Sequence, residues 1–213
     1  MTTSVILQGL IIGFSIAAPV GPIGILCIRR TLSQGRIAGL ISGLGAATAD
    51  GFYGCIAGFG LTFISHFLIE HQIGFRLIGG LFLCYLGIQT FRSSPSKEEA
   101  KIDGKTLGRA YVSTLFLTLT NPLTILSFAA IFAGLGAGTT NGEYGLALIL
   151  VLSVFSGSAL WWCVLVTGIG FMKDKITPHR LRWINRISGV ILSAFGLIAL
   201  QSSIVELYMR WKI

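Results

Sequence analysis

Charged residues are scarce in this sequence. Of its 213 residues, 11% are Asp, Glu, Lys or Arg, whereas 53% are apolar. A water-soluble domain carries about 25% charged residues, so this chain has too little polar surface to cover itself with water on every side. The composition therefore argues against an ordinary soluble protein and indicates that lipid is the main solvent.

Residues that bind metals or form disulfides are also few. The chain has four cysteines and three histidines. The cysteines form no Cys-x-x-Cys pair, and the histidines show no spacing typical of metal ligands. We therefore expect no disulfide framework, no metal site and no cofactor. Because no histidine lies inside an apolar run, we expect no catalytic residue and no enzyme activity.

Long apolar runs are the main feature that the sequence does have. A helix that crosses a bilayer needs about 20 mostly apolar residues. Six runs have this character, at residues 5–28, 37–65, 74–91, 110–136, 144–172 and 184–204. We predict an all-α integral membrane protein with six transmembrane helices, forming one transmembrane domain over residues 1–213.

Basic residues predict the orientation of these helices. Of the 16 Lys and Arg residues, 13 lie in or beside the loops after runs one, three and five. Such loops normally face the cytoplasm, so both chain termini are expected outside. The net charge of +8 then lies next to anionic lipid and needs no nucleic acid to explain it.

The two halves of the chain resemble each other. A polar linker at about 93–109 separates a first repeat, about 1–92, from a second, about 110–213. The segment "GGLFLCYLG", which begins at Gly79, matches "SGVILSAFG", which begins at Ser188. Because each half has three runs, the repeats would have inverted topology, an arrangement typical of secondary transporters.

Prolines interrupt the first and fourth runs, in "SIAAPVGPIG" and "LTLTNPLT". Each proline costs roughly 3 kcal/mol inside a helix, and both breaks fall near the middle of the membrane. A break exposes N–H groups at the start of the next half-helix, and these favour a carboxylate. We predict one midplane binding site formed by Pro19, Gly21, Pro22, Asn121 and Pro122. The alternative is a pair of kinks that serve only packing.

Asp50 is the only acid well inside an apolar run. A carboxyl group there costs a few kcal/mol, so a role in proton coupling or in binding a substrate amine is the default interpretation. Glycine and alanine surround it at helical spacings, which predicts a face that packs against other helices. The alternative is a neutral Asp that forms a structural hydrogen bond between helices.

Other polar and aromatic side chains are weaker candidates. Tyr53 lies about one turn from Asp50, and Thr124 and Ser127 follow the second break, so these three are predicted to contact substrate. Either Trp161 or Trp162 is a candidate for lining a cavity. Two further residues, Arg76 and Asn185, are expected at the membrane surface.

Taken together, "APVGPIG", "GLGAATADGFYG", "GGLFLCYLGIQTF" and "NPLTILSF" resemble the LysE/RhtB family of bacterial amino-acid exporters over almost the whole chain. The resemblance implies six spans, the bacterial inner membrane and amino-acid efflux driven by a proton gradient. It marks Pro19, Gly21, Pro22, Asp50, Asn121 and Pro122. The chain departs from the family pattern at Val20, which is inserted, and at Leu123-Thr124, where many members have Lys-Ala.

The expected function is secondary export of an amino acid, or of a similar small metabolite that bears an amino group, in exchange for protons. Asp50 would alternate between a proton and the substrate amine, with the two half-helix N-termini holding the carboxylate. Protons, the substrate and lipid are the expected partners, and a homo-oligomer is left open. The alternatives are a metal-cation exporter of the same superfamily and a membrane assembly protein that transports nothing.

Overall fold

The computed structural model describes residues 2–19, 21–59, 67–93, 104–121, 123–128, 143–172 and 177–211. Within these ranges the chain is helical and contains no β-strand, which confirms the all-α prediction there. The long helices are α1 (Thr2–Ala17), α2 (Pro22–Gln34), α3 (Arg36–Gly58), α4 (Gln72–Arg92), α5 (Gly104–Leu119), α6 (Tyr144–Gly170) and α7 (Pro178–Trp211).

Three of these helices, α4, α6 and α7, are each long and apolar enough to cross a membrane. The pair α1 and α2 adds a fourth span when it is counted as one broken helix. Helix α3 has 23 residues but, with Asp50 and several glycines along it, is not among the helices that contain a sufficiently apolar stretch of membrane length. The predicted second and fourth spans continue into 60–66 and 129–142, which lie outside the described residues. The six-span count therefore stays a prediction.

The break in the first span is present in the structure. Helix α1 ends at Ala17, α2 begins at Pro22, and their axes differ by 80°. Pro22 occupies the first turn of α2, where a missing N–H costs nothing, and Gly21 precedes it in an extended conformation. In the second half, α5 ends at Leu119 and a short helical segment covers 123–128. Pro122 itself lies outside the described residues.

Helices α3 and α6 pack on each other, and further helices pack on each of them. Helix α1 packs on α6, and α5 packs on α3. Glycine permits both contacts, because a Cβ at Gly13 would collide with the carbonyl of Val154 and one at Gly45 with the carbonyl of Tyr111. The four helices therefore approach one another closely along their backbones.

Helices α4 and α7 form a separate antiparallel pair. Gly80 faces Gly196, and Gly87 faces Gly189. A Cβ at Gly80 would lie 3.1 Å from the Gly196 carbonyl oxygen, and one at Gly87 would lie 2.8 Å from that of Gly189. The glycines that suggested a repeat in the sequence are thus the residues that bring these helices together.

Helix α2 is fixed by two adjacent arginines that reach in different directions. Arg30 is 7% exposed, and its Nη1 donates to Thr114 Oγ1 at 2.8 Å and to Ser42 Oγ at 3.0 Å. Arg29 Nη1 donates to Thr90 Oγ1 at 3.0 Å, and its Nε donates to Asn185 Oδ1 at 3.3 Å. Asn185, which is expected near the membrane surface, is 2% exposed and holds α7 against α2.

The outside of the bundle is apolar. Large hydrophobic side chains such as Leu7, Leu81, Leu148 and Leu197 are each more than half exposed. Exposure of this kind on several helices would be costly in water and is normal in lipid. Several polar side chains, among them Arg30, Asp50 and Asn185, are instead buried between the helices.

Candidate functional site

A cavity of about 710 Å³ lies beside the break between α1 and α2. Helices α3, α4, α6 and α7, the end of α5 and the segment 123–128 supply its other walls. Most of the residues predicted from the sequence line it, namely Pro19, Gly21, Pro22, Asp50, Asn121, Thr124 and Ser127. The two breaks in the chain thus border one cavity.

Asp50 is 3% exposed and borders the cavity from α3. Its Oδ2 accepts a hydrogen bond of 2.6 Å from the hydroxyl of Ser158 on α6. Ala46, one turn before Asp50 on the same helix face, also lines the cavity. The carboxyl group is therefore held in one orientation at a wall that a small ligand can reach.

Trp162 lies on the same face of α6 as Ser158, one turn further along the helix. Its ring lines the cavity and packs against Gly43, where a Cβ would collide with the tryptophan. The side chain is 4% exposed, and its Nε1 has no hydrogen-bond acceptor among the described residues. An indole N–H without an acceptor is unusual in a buried position.

The first turn of α2 also faces the cavity, through Gly21, Pro22, Ile23 and Gly24. Helical geometry leaves the N–H groups of Ile23 and Gly24 without an acceptor inside the helix. No side chain in the described part of the chain caps this end. The partial positive charge of the helix N-terminus is therefore directed at the space where a carboxylate could lie.

The second break differs in detail from the first. The side chain of Asn121 caps the segment 123–128, because its Oδ1 accepts from the Leu123 N–H at 3.2 Å. Its Nδ2 donates to Thr124 Oγ1 at 3.0 Å. One N–H of this N-terminus is thus already paired, and the polar surface offered here comes from Asn121, Thr124 and Ser127.

Tyr53 is the one predicted and described site residue that the structure does not bring to the cavity. Its hydroxyl donates to the carbonyl of Leu119 at 2.7 Å. Its ring stacks on Phe128, with ring centroids 5.2 Å apart. Tyr53 therefore connects α3 to residues on both sides of the second break, and these contacts give the side chain a packing role.

Arg76 belongs to the cavity, although its position near the start of an apolar run suggested the membrane surface. Its side chain lines the cavity from α4, and its Nη1 lies 3.1 Å from Oε2 of Glu206 on α7. The sequence already indicated such a position for Arg76, because an arginine inside an apolar run often faces the interior of a helix bundle. Ser158 was missed for a simpler reason: serines are common in apolar helices and carry no signal alone.

Among the described residues, no group of three His, Cys, Asp or Glu side chains could hold a metal ion. Asp50 and Arg76 are the charged residues of the described cavity wall. Its other polar side chains carry hydroxyls, the amide of Asn121 and the indole of Trp162. The cavity thus presents one negative and one positive side chain to a small polar molecule.

Comparison with known proteins identifies a family and several relatives of this chain. The model of the LysE type translocator family matches residues 14–203. A putative amino acid efflux protein of Bacillus subtilis, YcgF, is 29% identical over 91% of this chain and 93% of its own length. The threonine efflux protein of Escherichia coli is 24% identical, over 83% of this chain and 88% of its own length. No solved structure matches the chain. The family match covers most of the chain, and the protein belongs to the LysE type translocator family.

Proposed function

We propose that this membrane protein is a secondary exporter that moves an amino acid out of the cell in exchange for protons. The observation that carries the proposal is the buried Asp50 carboxyl at the wall of a cavity that also holds an uncapped helix N-terminus. These two groups complement the amine and the carboxylate of an amino acid. The names of the amino-acid and threonine efflux relatives favour the same substrate class.

Asp50 supplies the coupling in this mechanism. When the carboxylate is charged, it binds the ammonium group of the substrate, and when it is protonated it releases that group. Substrate and proton thus compete for one carboxyl group, which exchanges one for the other without a second acid. Ser158 keeps the carboxyl directed at the cavity through its 2.6 Å hydrogen bond.

The substrate carboxylate lies at the half-helix N-termini. The N–H groups of the first turn of α2, after Pro19, Gly21 and Pro22, are its main neutral donors. Asn121, Thr124 and Ser127 form the opposite wall in this proposal, and Pro122 remains a site residue predicted from the sequence. Trp162 adds an indole N–H that has no acceptor among the described residues.

We further propose six spans arranged as two inverted three-helix repeats. In the two repeats, α1 corresponds to α5, α3 to α6 and α4 to α7. The contact between α1 and α6 then corresponds to the contact between α5 and α3, which supports this arrangement. The same exchange, which aligns Gly80 with Gly189 and Gly87 with Gly196, converts one α4 and α7 glycine contact into the other. A symmetric pair of broken helices around one cavity is the arrangement expected for alternating access.

The proposed location is the bacterial inner membrane, with both termini outside. The basic loops after runs one, three and five support this orientation. A reporter that works only in the cytoplasm should be active when fused after Ser96 and inactive when fused at the C-terminus. The reverse pattern would overturn the orientation.

The function itself is tested in proteoliposomes loaded with labelled amino acids, threonine among them, and exposed to an acidic exterior. We expect efflux of at least one amino acid that rises with the imposed pH gradient. Asp50→Asn should abolish the response to the gradient while the protein still folds and inserts. Glu70→Gln is the matched control, because Glu70 is an exposed acid near the start of α4.

Two outcomes would contradict the proposal. If no amino acid leaves the vesicles at a rate above that of protein-free vesicles, the protein is not an amino-acid exporter, and saturable counterflow of another solute would separate a carrier from an assembly protein. If Asp50→Asn exports at the normal rate with the normal pH dependence, another group carries the proton.

A further inference from the structure

We propose that Arg76 binds the carboxylate of the exported molecule, so that Arg76 and Asp50 together select substrates that carry both an amine and a carboxylate. This inference rests on the proposed function and adds a specificity residue to it. Arg76 supplies a full positive charge, whereas the first turn of α2 supplies neutral N–H donors. A molecule that lacks the carboxyl group should then bind less well even when its amine is intact.

The charges of the cavity support this assignment. Asp50 on α3 and Arg76 on α4 are the two charged residues of its described wall, and they have opposite signs. Arg76 already pairs with Glu206, whereas Asp50 accepts a hydrogen bond from the neutral Ser158 hydroxyl. A zwitterion can form a charge-assisted contact with each of the two side chains, whereas a simple cation or anion can form only one, so the wall favours a zwitterion over either.

The geometry of the guanidinium group also supports it. Arg76 has five N–H donors, and its ion pair with Glu206 joins one nitrogen to one oxygen at 3.1 Å. The remaining donors can donate to a second carboxylate in the paired geometry that arginine favours. The side chains of Arg76 and Glu206 are 17% and 32% exposed, so neither is sealed away from an incoming molecule.

The ion pair offers a competing explanation, in which Arg76 only braces α4 against α7. The two roles predict different results for Glu206. A brace needs both partners, so Glu206→Gln and Arg76→Gln should then have the same effect. A recognition role needs only the arginine, so Glu206→Gln should leave the selectivity intact because it removes a competitor for the guanidinium.

The experiment measures the affinity for L-threonine and for 1-amino-2-propanol, the amine left when the carboxyl group of threonine is removed. Another amino acid and its decarboxylated amine replace this pair if the wild-type protein exports that amino acid instead. Affinity is obtained from the concentration dependence of efflux in proteoliposomes and from the ligand-induced rise in unfolding temperature in detergent. The proteins compared are the wild type, Arg76→Gln, Arg76→Lys and Glu206→Gln.

We expect the wild type to prefer the amino acid over the amine. Arg76→Gln should lose about ten- to a hundred-fold in affinity for the amino acid, the value of a charge-assisted contact, with no loss for the amine. Arg76→Lys should keep part of the preference, because lysine retains the charge but lacks the paired N–H donors of a guanidinium group. Glu206→Gln should prefer the amino acid at least as strongly as the wild type does.

The inference is overturned if Arg76→Gln retains the preference, or if Glu206→Gln weakens it as much as Arg76→Gln does. If Arg76→Gln does not fold, Arg76→Lys decides the question, and an undiminished preference in that variant overturns the inference. In each case efflux by the wild type stands, and so does the proposed function. Absence of amino-acid binding and efflux in the wild type would instead contradict the proposed function and this inference with it.

Discussion

The hydroxyl of Ser158 donates a hydrogen bond to Oδ2 of Asp50 across the contact between α6 and α3. The two residues are 108 positions apart in the chain. Helix α3 belongs to the first half of the sequence and α6 to the second. The hydrogen bond that orients the cavity carboxyl therefore also joins the two halves of the protein.

Replacement of Ser158 tests the importance of this bond. Ser158→Ala leaves the buried Asp50 carboxyl without its donor, so we expect the free energy of unfolding to fall by about 1 to 2 kcal/mol. Substrate affinity should fall as well, because the carboxyl is no longer held in one orientation. Thermal unfolding in detergent and efflux assays measure the two effects. Ser156→Ala is the control, because Ser156 is exposed and bonds only to the carbonyl of Leu152; equal effects of both variants would refute the prediction.

Trp162→Phe removes the unpaired indole N–H and keeps an aromatic ring in place. The loss of ring volume opposes the gain from removing an unpaired donor, so we expect thermal stability to change little. Substrate affinity should fall about two- to ten-fold, the value of one neutral hydrogen bond. Trp161→Phe is the control, because Trp161 packs edge-on against Phe14 outside the cavity wall. An unchanged affinity in Trp162→Phe would remove Trp162 from the binding site.

Arg30→Lys tests whether α2 depends on the shape of a guanidinium group. Arg30 donates to Ser42, Ala110, Ser113 and Thr114, at distances of 2.7 to 3.0 Å. A lysine ammonium cannot span these acceptors, so the free energy of unfolding should fall by about 2 to 4 kcal/mol. Thermal unfolding measures the loss, with Arg92→Lys at an exposed position of α4 as the control. A wild-type unfolding temperature for Arg30→Lys would show that charge alone is sufficient.

Gly87→Ala tests the close contact between α4 and α7. The added Cβ would lie 2.7 Å from the Ser193 nitrogen and 2.8 Å from the Gly189 carbonyl oxygen, so the helices must separate. We expect a loss of about 1 to 3 kcal/mol in the free energy of unfolding. Gly74→Ala on the same helix has open space around it and should be neutral or slightly stabilising. An unchanged free energy of unfolding in Gly87→Ala would show that the helix pair tolerates a wider spacing.

The sequence predicts best where a local rule decides the structure. Proline lacks an N–H and cannot sit inside a helix without cost, so the end of α1 and the start of α2 follow from Pro19 and Pro22 alone. The burial of Asp50 also follows from a local pattern, because the glycines and alanines around it form a face too small to shield a carboxyl from lipid unless other helices cover it.

Prediction fails where the partners are distant in the chain. Arg29 and Arg30 look like ordinary loop charges, and only the fold brings Asn185 and Thr114 within reach. Tyr53 illustrates a second limit. Three residues of helix turn a side chain by about 300°, so a neighbour of Asp50 along the sequence can point at a different helix, as Tyr53 does when it bonds to Leu119.

The hydrogen bond between Arg29 and Asn185 can form only late in the synthesis of the chain. Asn185 is synthesised 156 residues after Arg29, which takes about 8 to 30 seconds at ordinary rates of translation. During that time α2 has no helix α7 to receive its guanidinium. The hydrogen bond from α2 to α7 therefore cannot form until the last helix has been synthesised. A nascent chain released before Asn185 carries an arginine without one of its acceptors. Unfinished chains thus differ from finished ones in the hydrogen bonding of this arginine, whose charge is the same in both.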